Sequence, residues 1–326
     1  MVSESCHNPS VPSDPNELPP GLYETAITRS IESTLQRVRT ELVRTSPLAS
    51  AEAPNRIALH LARQIEAALR SVGNDDDRLR LGHELVQFVL QQLSAATNTD
   101  LADAELVDPV TVLRAIDVPQ PDGSVRRIES PMIPLLDTTL LTNAPGEPRV
   151  GHQIAAEIDS AQHIDVLMAF IRKSGIQPLL QRIRRHIDDG GRVRVLTTTY
   201  TGSTQREALD LLVDAGAIVK VSYDTTSTRL HAKAWIFHRS SGYSTAYIGS
   251  SNLTNQAQVT GLEWNVRASG ARNPDVIDKM RAVFESYWQS TDFEPYDPDE
   301  FDRRTAPLTS GPTVYLSPVA VTPLPF

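Results

Sequence analysis

The residues best suited to chemistry follow one another closely: His231-Ala232-Lys233, then Gly249-Ser250-Ser251-Asn252, then Glu263. An imidazole, an ammonium, a hydroxyl, an amide and a carboxylate at these spacings form a set able to attack a phosphodiester without a metal or other cofactor. Imidazole titrates near neutrality, so one copy can act as nucleophile while a second, protonated, serves the leaving oxygen. Fixed donors stabilise the extra charge on five-coordinate phosphorus, and a covalent intermediate divides a hard displacement into two easier ones. Lysine is scarce here, at positions 173, 220, 233 and 279 only. The His-x-Lys pair alone is a weak signal; the whole string is specific.

Three strands are needed to bring these groups together. Residues 228–239, TRLHAKAWIFHR, alternate and are rich in aromatic and aliphatic side chains, which predicts a strand with Arg229, His231 and Lys233 on one face. TAYIGSSN (245–252) reads as the antiparallel return, ending in small residues that let a backbone approach an anion. LEWNVRAS (262–269) reads as a third strand, with Glu263, Asn265 and Arg267 on its polar face.

The pattern H-x-K, G-S-x-N and a Glu eleven residues after the Asn resembles the active-site motif of the phospholipase D superfamily. The resemblance implies a metal-independent phosphodiesterase that passes through a phosphohistidine. His231 would be nucleophile or acid, Lys233 and Asn252 would hold phosphoryl oxygens, Ser250 would donate a hydrogen bond and Glu263 would orient the imidazole. That family usually has Asp seven residues after the His, where this chain has His238. Seven is odd, so on an unbroken strand residue 238 faces away from His231 and Lys233, and the missing Asp reads as a lost structural contact. The mechanism uses two H-x-K sets, yet histidines 7, 60, 83, 152, 163, 186 and 238 have no Lys two residues on. Single-motif relatives pair two chains, so the resemblance implies a homodimer with its catalytic centre on the two-fold axis.

The 326 residues leave room for a sizeable core, and the net charge of −9 excludes a uniformly basic nucleic-acid coat. Residues 171–240 nevertheless hold twelve Lys or Arg against six Asp or Glu, enough to bind phosphate in one groove. Arg182, Arg184 and Arg185 read equally well as a solvated helix face. Cys6 is the single cysteine, so no disulfide framework is present. The start carries no apolar signal segment, and no run of about 18 apolar residues occurs. The expectation is a cytoplasmic protein with no membrane contact.

Along the chain, 1–20 reads as a disordered tail, 21–106 as a module of three helices and 107–129 as a linker. Residues 130–290 alternate apolar strands with amphipathic helices. They predict an α/β domain with a phospholipase D-like mixed β-sheet flanked by helices. Residues 291–326, rich in Pro and acidic groups, read as an extended connector towards a further domain. The layout resembles the N-terminal part of SauUSI-like helicase-linked, modification-dependent restriction enzymes. The likeness rests on SGIQPLL, TTTYTGST, TRLHAKAWIF, GSSNLT and GLEWNVR. It implies DNA as substrate, a role in restriction or phage defence, and a helicase/ATPase domain beyond this chain. No lysine follows a glycine, so no Walker A loop lies within it.

Other groups have plainer readings. Asp75-Asp76-Asp77 suits a helix N-terminus, and Asp188-Asp189 before two glycines suits a turn; neither forms a metal site. Asp275 with Asp278-Lys279 has the wrong spacing for a metal-dependent nuclease. Tyr200, after a strand, could stack on a sugar or base; with Arg229 and Ser251 it completes the expected substrate-binding set. Trp235 and Trp264 read as core or dimer-contact residues. Two rivals to a DNA endonuclease remain: a catalytically silent dimerisation or DNA-binding module, and a lipid phosphodiesterase.

Overall fold

The computed structural model describes residues 18–120, 122–144, 146–200, 202–224, 230–254 and 263–309. Two compact units divide the chain at Arg114 and Ala115. The first holds α1 (Arg29–Leu35), α2 (Ala53–Ser71) and α3 (Asp75–Thr97), with two short 3-10 turns at Thr40–Leu42 and Ala102–Ala104. Within the helical module expected over 21–106, α1 starts at Arg29 because Thr28 accepts a hydrogen bond from the Ile31 amide at 3.3 Å and caps the helix there. Pro54 opens α2, and Asn74 caps α3 with the three aspartates in its first turn, where their charge meets the helix dipole.

The second unit opens with a small hairpin of β1 (Val118–Pro119) and β2 (Val125–Arg126). Next come β3 (Thr139–Leu141), α4 (Val150–Ser160), β4 (His163–Met168), α5 (Lys173–Ile176), α6 (Leu180–Asp188) and β5 (Arg192–Thr198). The chain continues through α7 (Arg206–Asp214), β6 (Ile218–Ser222), β7 (Lys233–His238), β8 (Thr245–Gly249) and β9 (Asn265–Ser269). It closes with α8 (Pro274–Gln289), β10 (Glu294–Pro295) and α9 (Pro298–Thr309). Eight strands form one mixed sheet in the order β10-β6-β5-β4-β7-β8-β9-β3. Strands β4, β5 and β6 are parallel, and every other pairing is antiparallel.

Both faces of the central strands are covered, which is why these strands read as unbroken apolar runs. On one face Val166, Val195, Trp235 and Tyr247 pack with residues of α4, α6 and α7, such as Ile154, Ile183 and Leu209. On the other, Leu167, Leu196, Ile236 and Ala246 meet Ile277 and Phe284 of α8. The expected α/β domain with a mixed sheet flanked by helices is therefore observed. The reading of 291–326 as an extended connector is corrected for its first part. Glu294 and Pro295 pair with Val221 and Lys220, and Phe301 of α9 is buried in the first core. The sequence hides this because the strand is two residues long and contains proline.

Inside the first face lies a fully buried carboxylate. Glu157 of α4 accepts from Arg267 Nε at 2.9 Å and Tyr247 OH at 3.0 Å through one oxygen. The other oxygen accepts from Arg239 Nη2 at 2.6 Å and Thr245 Oγ1 at 2.8 Å. Burial pushes this carboxyl up, but Arg239 and Arg267 outweigh it and hold it below the usual carboxylate range. Arg267 also donates to the carbonyls of Pro134 and Asp137, pinning the segment ahead of β3. Arg267, expected on the polar face of its strand with Glu263, is sealed beneath α4. Removing the charge while keeping the shape strands two buried guanidinium groups, so Glu157→Gln should cost about 3–5 kcal/mol. A fall in the urea midpoint checks this; an unchanged midpoint refutes it.

Candidate active site

The five expected catalytic residues all lie just beyond or at strand ends. The strand predicted over 228–239 begins only at Lys233, so His231 sits on the approach to β7 and does not share a strand face with Lys233. Arg229 lies outside the described residues. Lys233 is instead folded back on His231. Its Nζ donates to the His231 carbonyl at 2.6 Å and stands 3.1 and 3.3 Å from the two ring nitrogens. Lys233 is buried whereas His231 is exposed, which places the imidazole at the surface with an ammonium held beneath it.

The return strand β8 delivers the second group. Register pairs Met168 with Lys233 and Gly249 with Asn265, while Ala234 faces Ile248. One row therefore runs along the edge where the parallel strands end, a position where open α/β sheets expose their loops to ligands. Gly249 is required there: a Cβ would lie 2.1 Å from the Trp264 carbonyl. Beyond it, the Ser250 amide donates to Trp264 O at 3.0 Å and the Ser250 hydroxyl donates to Glu263. The same hydroxyl accepts from the Trp264 amide at 3.0 Å. Glu263, expected to orient the imidazole, thus holds Ser250 within its own chain. Ser251, expected at the substrate, is buried and accepts from Asn265 Nδ2 at 2.7 Å, so it ties the chain after β8 to the start of β9.

Asn252 presents a buried Oδ1 with no hydrogen-bond partner among the described residues. The amide turned over would offer Nδ2 at the same point, a donor suited to a phosphoryl oxygen. Phe170, unmarked in the sequence because it ends an apolar run, joins the two halves of the site. Its ring lies edge-on to His231 at 5.9 Å, and its carbonyl accepts from the Leu253 amide at 3.2 Å. Gly175 packs against the Leu253 backbone so tightly that a Cβ would lie 2.1 Å from that carbonyl. Tyr200 is half-buried after β5, its amide held by Thr198 Oγ1 at 3.2 Å. Among the described residues no three His, Cys, Asp or Glu side chains gather as a metal ion would require.

His238, five residues along β7 from Lys233, lies on the face opposite Lys233. Its Nε2 meets Asp165 Oδ2 at 2.7 Å, and Arg194 grips both oxygens of that carboxylate at 2.7 and 2.9 Å. Burial pushes Asp165 up, but the bonds from His238 and Arg194 prevail and hold it down. Trp235 is core, whereas Trp264 is 69 % exposed beside Glu263.

Burial pushes the Lys233 ammonium below its ordinary range, with Glu263 pulling the other way. As pH rises through that lowered value, the folded lysine sheds its proton while the unfolded chain keeps its own, so folding gains stability across that window. Lys233→Met removes the buried charge. It should be more stable than the parent at about pH 7, with its lead narrowing towards about pH 10. Urea midpoints at the two pH values test this; a lead that is absent or widens contradicts it.

Residues 154–288 match the family model described as "Cardiolipin synthase, PLD-like domain". Among solved structures, the chain is similar to Nuc, a phospholipase D family member from Salmonella typhimurium, at 16% identity with TM-score 0.39. The match covers 49% of this chain and 99% of that one. NucT from Helicobacter pylori gives 13% identity and TM-score 0.39, with the same 49% and 99% coverage. Phosphatidylserine synthase from Haemophilus influenzae gives 11% identity and TM-score 0.36, covering 53% of this chain and 45% of that one. No curated protein sequence matches. The strand-edge cluster of His231, Lys233, Ser250, Asn252 and Glu263 lies within residues 154–288, the stretch matched by that family model.

Proposed function

We propose that the protein is a metal-independent phosphodiesterase, a DNA endonuclease that works through a covalent phosphohistidine on His231. The observation that carries this reading is the exposed imidazole held over a buried Lys233 ammonium, beside the coupled Ser250 and Glu263. A ring nitrogen of His231 attacks phosphorus and the P–O bond to the leaving group breaks. Lys233 neutralises charge on the phosphoryl oxygens, Asn252 donates to one of them, and the Ser250 hydroxyl turns its one proton from Glu263 to another. A second imidazole protonates the departing oxygen, then takes a proton from the water that cleaves the P–N bond and regenerates His231.

The second imidazole is supplied by another copy of the chain. Supporting this, cross-strand partners Ile248, Val266 and Leu140 are partly open to solvent and continue to exposed Trp264, an apolar strip beside the site. Two copies meeting on that strip would bring their His231 rings together. We further propose that the module serves restriction or phage defence under a helicase motor outside this chain, which the basic balance of residues 171–240 suits. Among the described residues no helix is long and apolar enough to cross a membrane.

Plasmid DNA should be cleaved in excess EDTA, and His231→Ala should lower the rate by about a thousandfold or more. Cleavage that needs added magnesium overturns the mechanism, and turnover of phosphatidylcholine instead of DNA overturns the substrate. Mixing His231→Ala subunits with the parent should depress activity more steeply than dilution; strictly proportional loss counts against the shared site.

A further inference from the structure

A second cleft opens at the far end of the sheet, where β4 and β5 begin and β7 ends. Its cavity measures about 750 Å³. The five steps along β4 from His163 to Met168, each rising about 3.3 Å, set it roughly 17 Å from the row that holds Lys233. Nothing in the catalytic reading uses it.

Its lining is cationic. Arg126, Arg127, Arg182, Arg185, Arg239 and Arg281 face three carboxylates, Glu129, Asp159 and Asp189. Four of the arginines are engaged: Arg126 with Asp189 at 3.3 Å, Arg182 with Asp159, Arg239 with Glu157 and Arg281 with Asp278 at 3.6 Å. Arg127 and Arg185 are exposed and have no ion-pair partner among the described residues. They approach the cleft from different directions, one from the β1–β2 hairpin and one from α6.

Buried polar atoms on its wall lack partners as well. His186 Nε2, Arg239 Nε and Arg126 Nε are each buried without a hydrogen bond among the described residues. His186 and Arg239 are only 8 % and 9 % exposed, and native proteins rarely leave such atoms unpaired unless something binds there. A glycine covers the imidazole: a Cβ at Gly191 would lie 2.3 Å from His186 Nε2. Burial, and then the positive charge of Arg192, push His163 down; burial, and then His163, push His186 down. Both rings therefore favour the neutral form and add no further positive charge to a lining already rich in guanidinium groups.

We propose that this cleft binds a phosphate group, gripped by Arg127 and Arg185 and floored by His186 and Arg239. Two unpaired guanidinium forks converging from separate elements suit a tetrahedral dianion better than a single planar carboxylate. The group belongs either to a free phosphate compound or to a nucleic-acid backbone reaching past the catalytic edge. The proposal stands apart from the catalytic reading, and neither falls with the other.

Histidine side-chain NMR on the full-length His231→Ala chain tests it, since that variant cannot turn over substrate by the proposed route. One arm titrates inorganic phosphate at constant ionic strength; the other titrates a short single-stranded oligodeoxynucleotide without terminal phosphates. Saturable shifts of the His163 and His186 signals support the proposal, phosphate alone indicating a free phosphate compound and the oligonucleotide alone a backbone phosphate. Arg127→Gln with Arg185→Gln should weaken the response by about tenfold or more. Because both arginines are exposed and unpaired, the double variant should keep its ligand-free spectrum. Flat His163 and His186 signals in both arms, or a response that survives the double substitution at full affinity, overturns the site.

Discussion

A carboxylate with no solvent exposure sets the geometry of the second unit. Isolated, Glu157 would be too costly to bury as an anion; with Arg239 and Arg267 beside it, the charge is balanced and every lone pair is spoken for. The three residues come from α4, the end of β7 and the middle of β9. A shift of β9 along β8 would pull Arg267 from Glu157, so the network holds the β8–β9 register in place. That register puts Gly249 opposite Asn265, and with it the Ser250–Glu263 pair beside Lys233. Electrostatics deep under α4 thus positions groups at the open edge.

Much of this was legible in the sequence, for identifiable reasons. Strands β4 to β7 are covered on both faces, which leaves unbroken apolar runs, and α8 shows clear helical periodicity. The H-x-K and G-S-x-N strings stand out because few residue types can do their work. Alternation also placed Glu263, Asn265 and Arg267 on one side correctly. It could not tell that four residues of chain separate the open edge from the space beneath a helix: Glu263 lies just ahead of β9 at the edge, and Arg267 is sealed. Nor could periodicity locate strand ends, so His231 was read into β7 when the strand begins two residues later. Strand β3, three residues long, carries too little pattern to announce itself.

His238 shows how the two faces of one strand serve separate ends. Asp165 pairs across the sheet with Ile236, making it the diagonal neighbour of His238 on the α8 side. This carboxylate is contributed by β4, and Arg194, bound to it, also reaches Glu285 of α8 at 2.9 Å. The cluster fastens α8 to the sheet with a whole layer of strands between it and Lys233.

Strand β10 has a meaning for how the molecule meets its neighbours. An open sheet margin invites unwanted chains to hydrogen-bond alongside it. Here the margin beyond β6 is occupied by two residues of which one, Pro295, has no amide hydrogen to offer. Accretion of further strands is disfavoured on that flank, whereas the opposite margin is formed by β3.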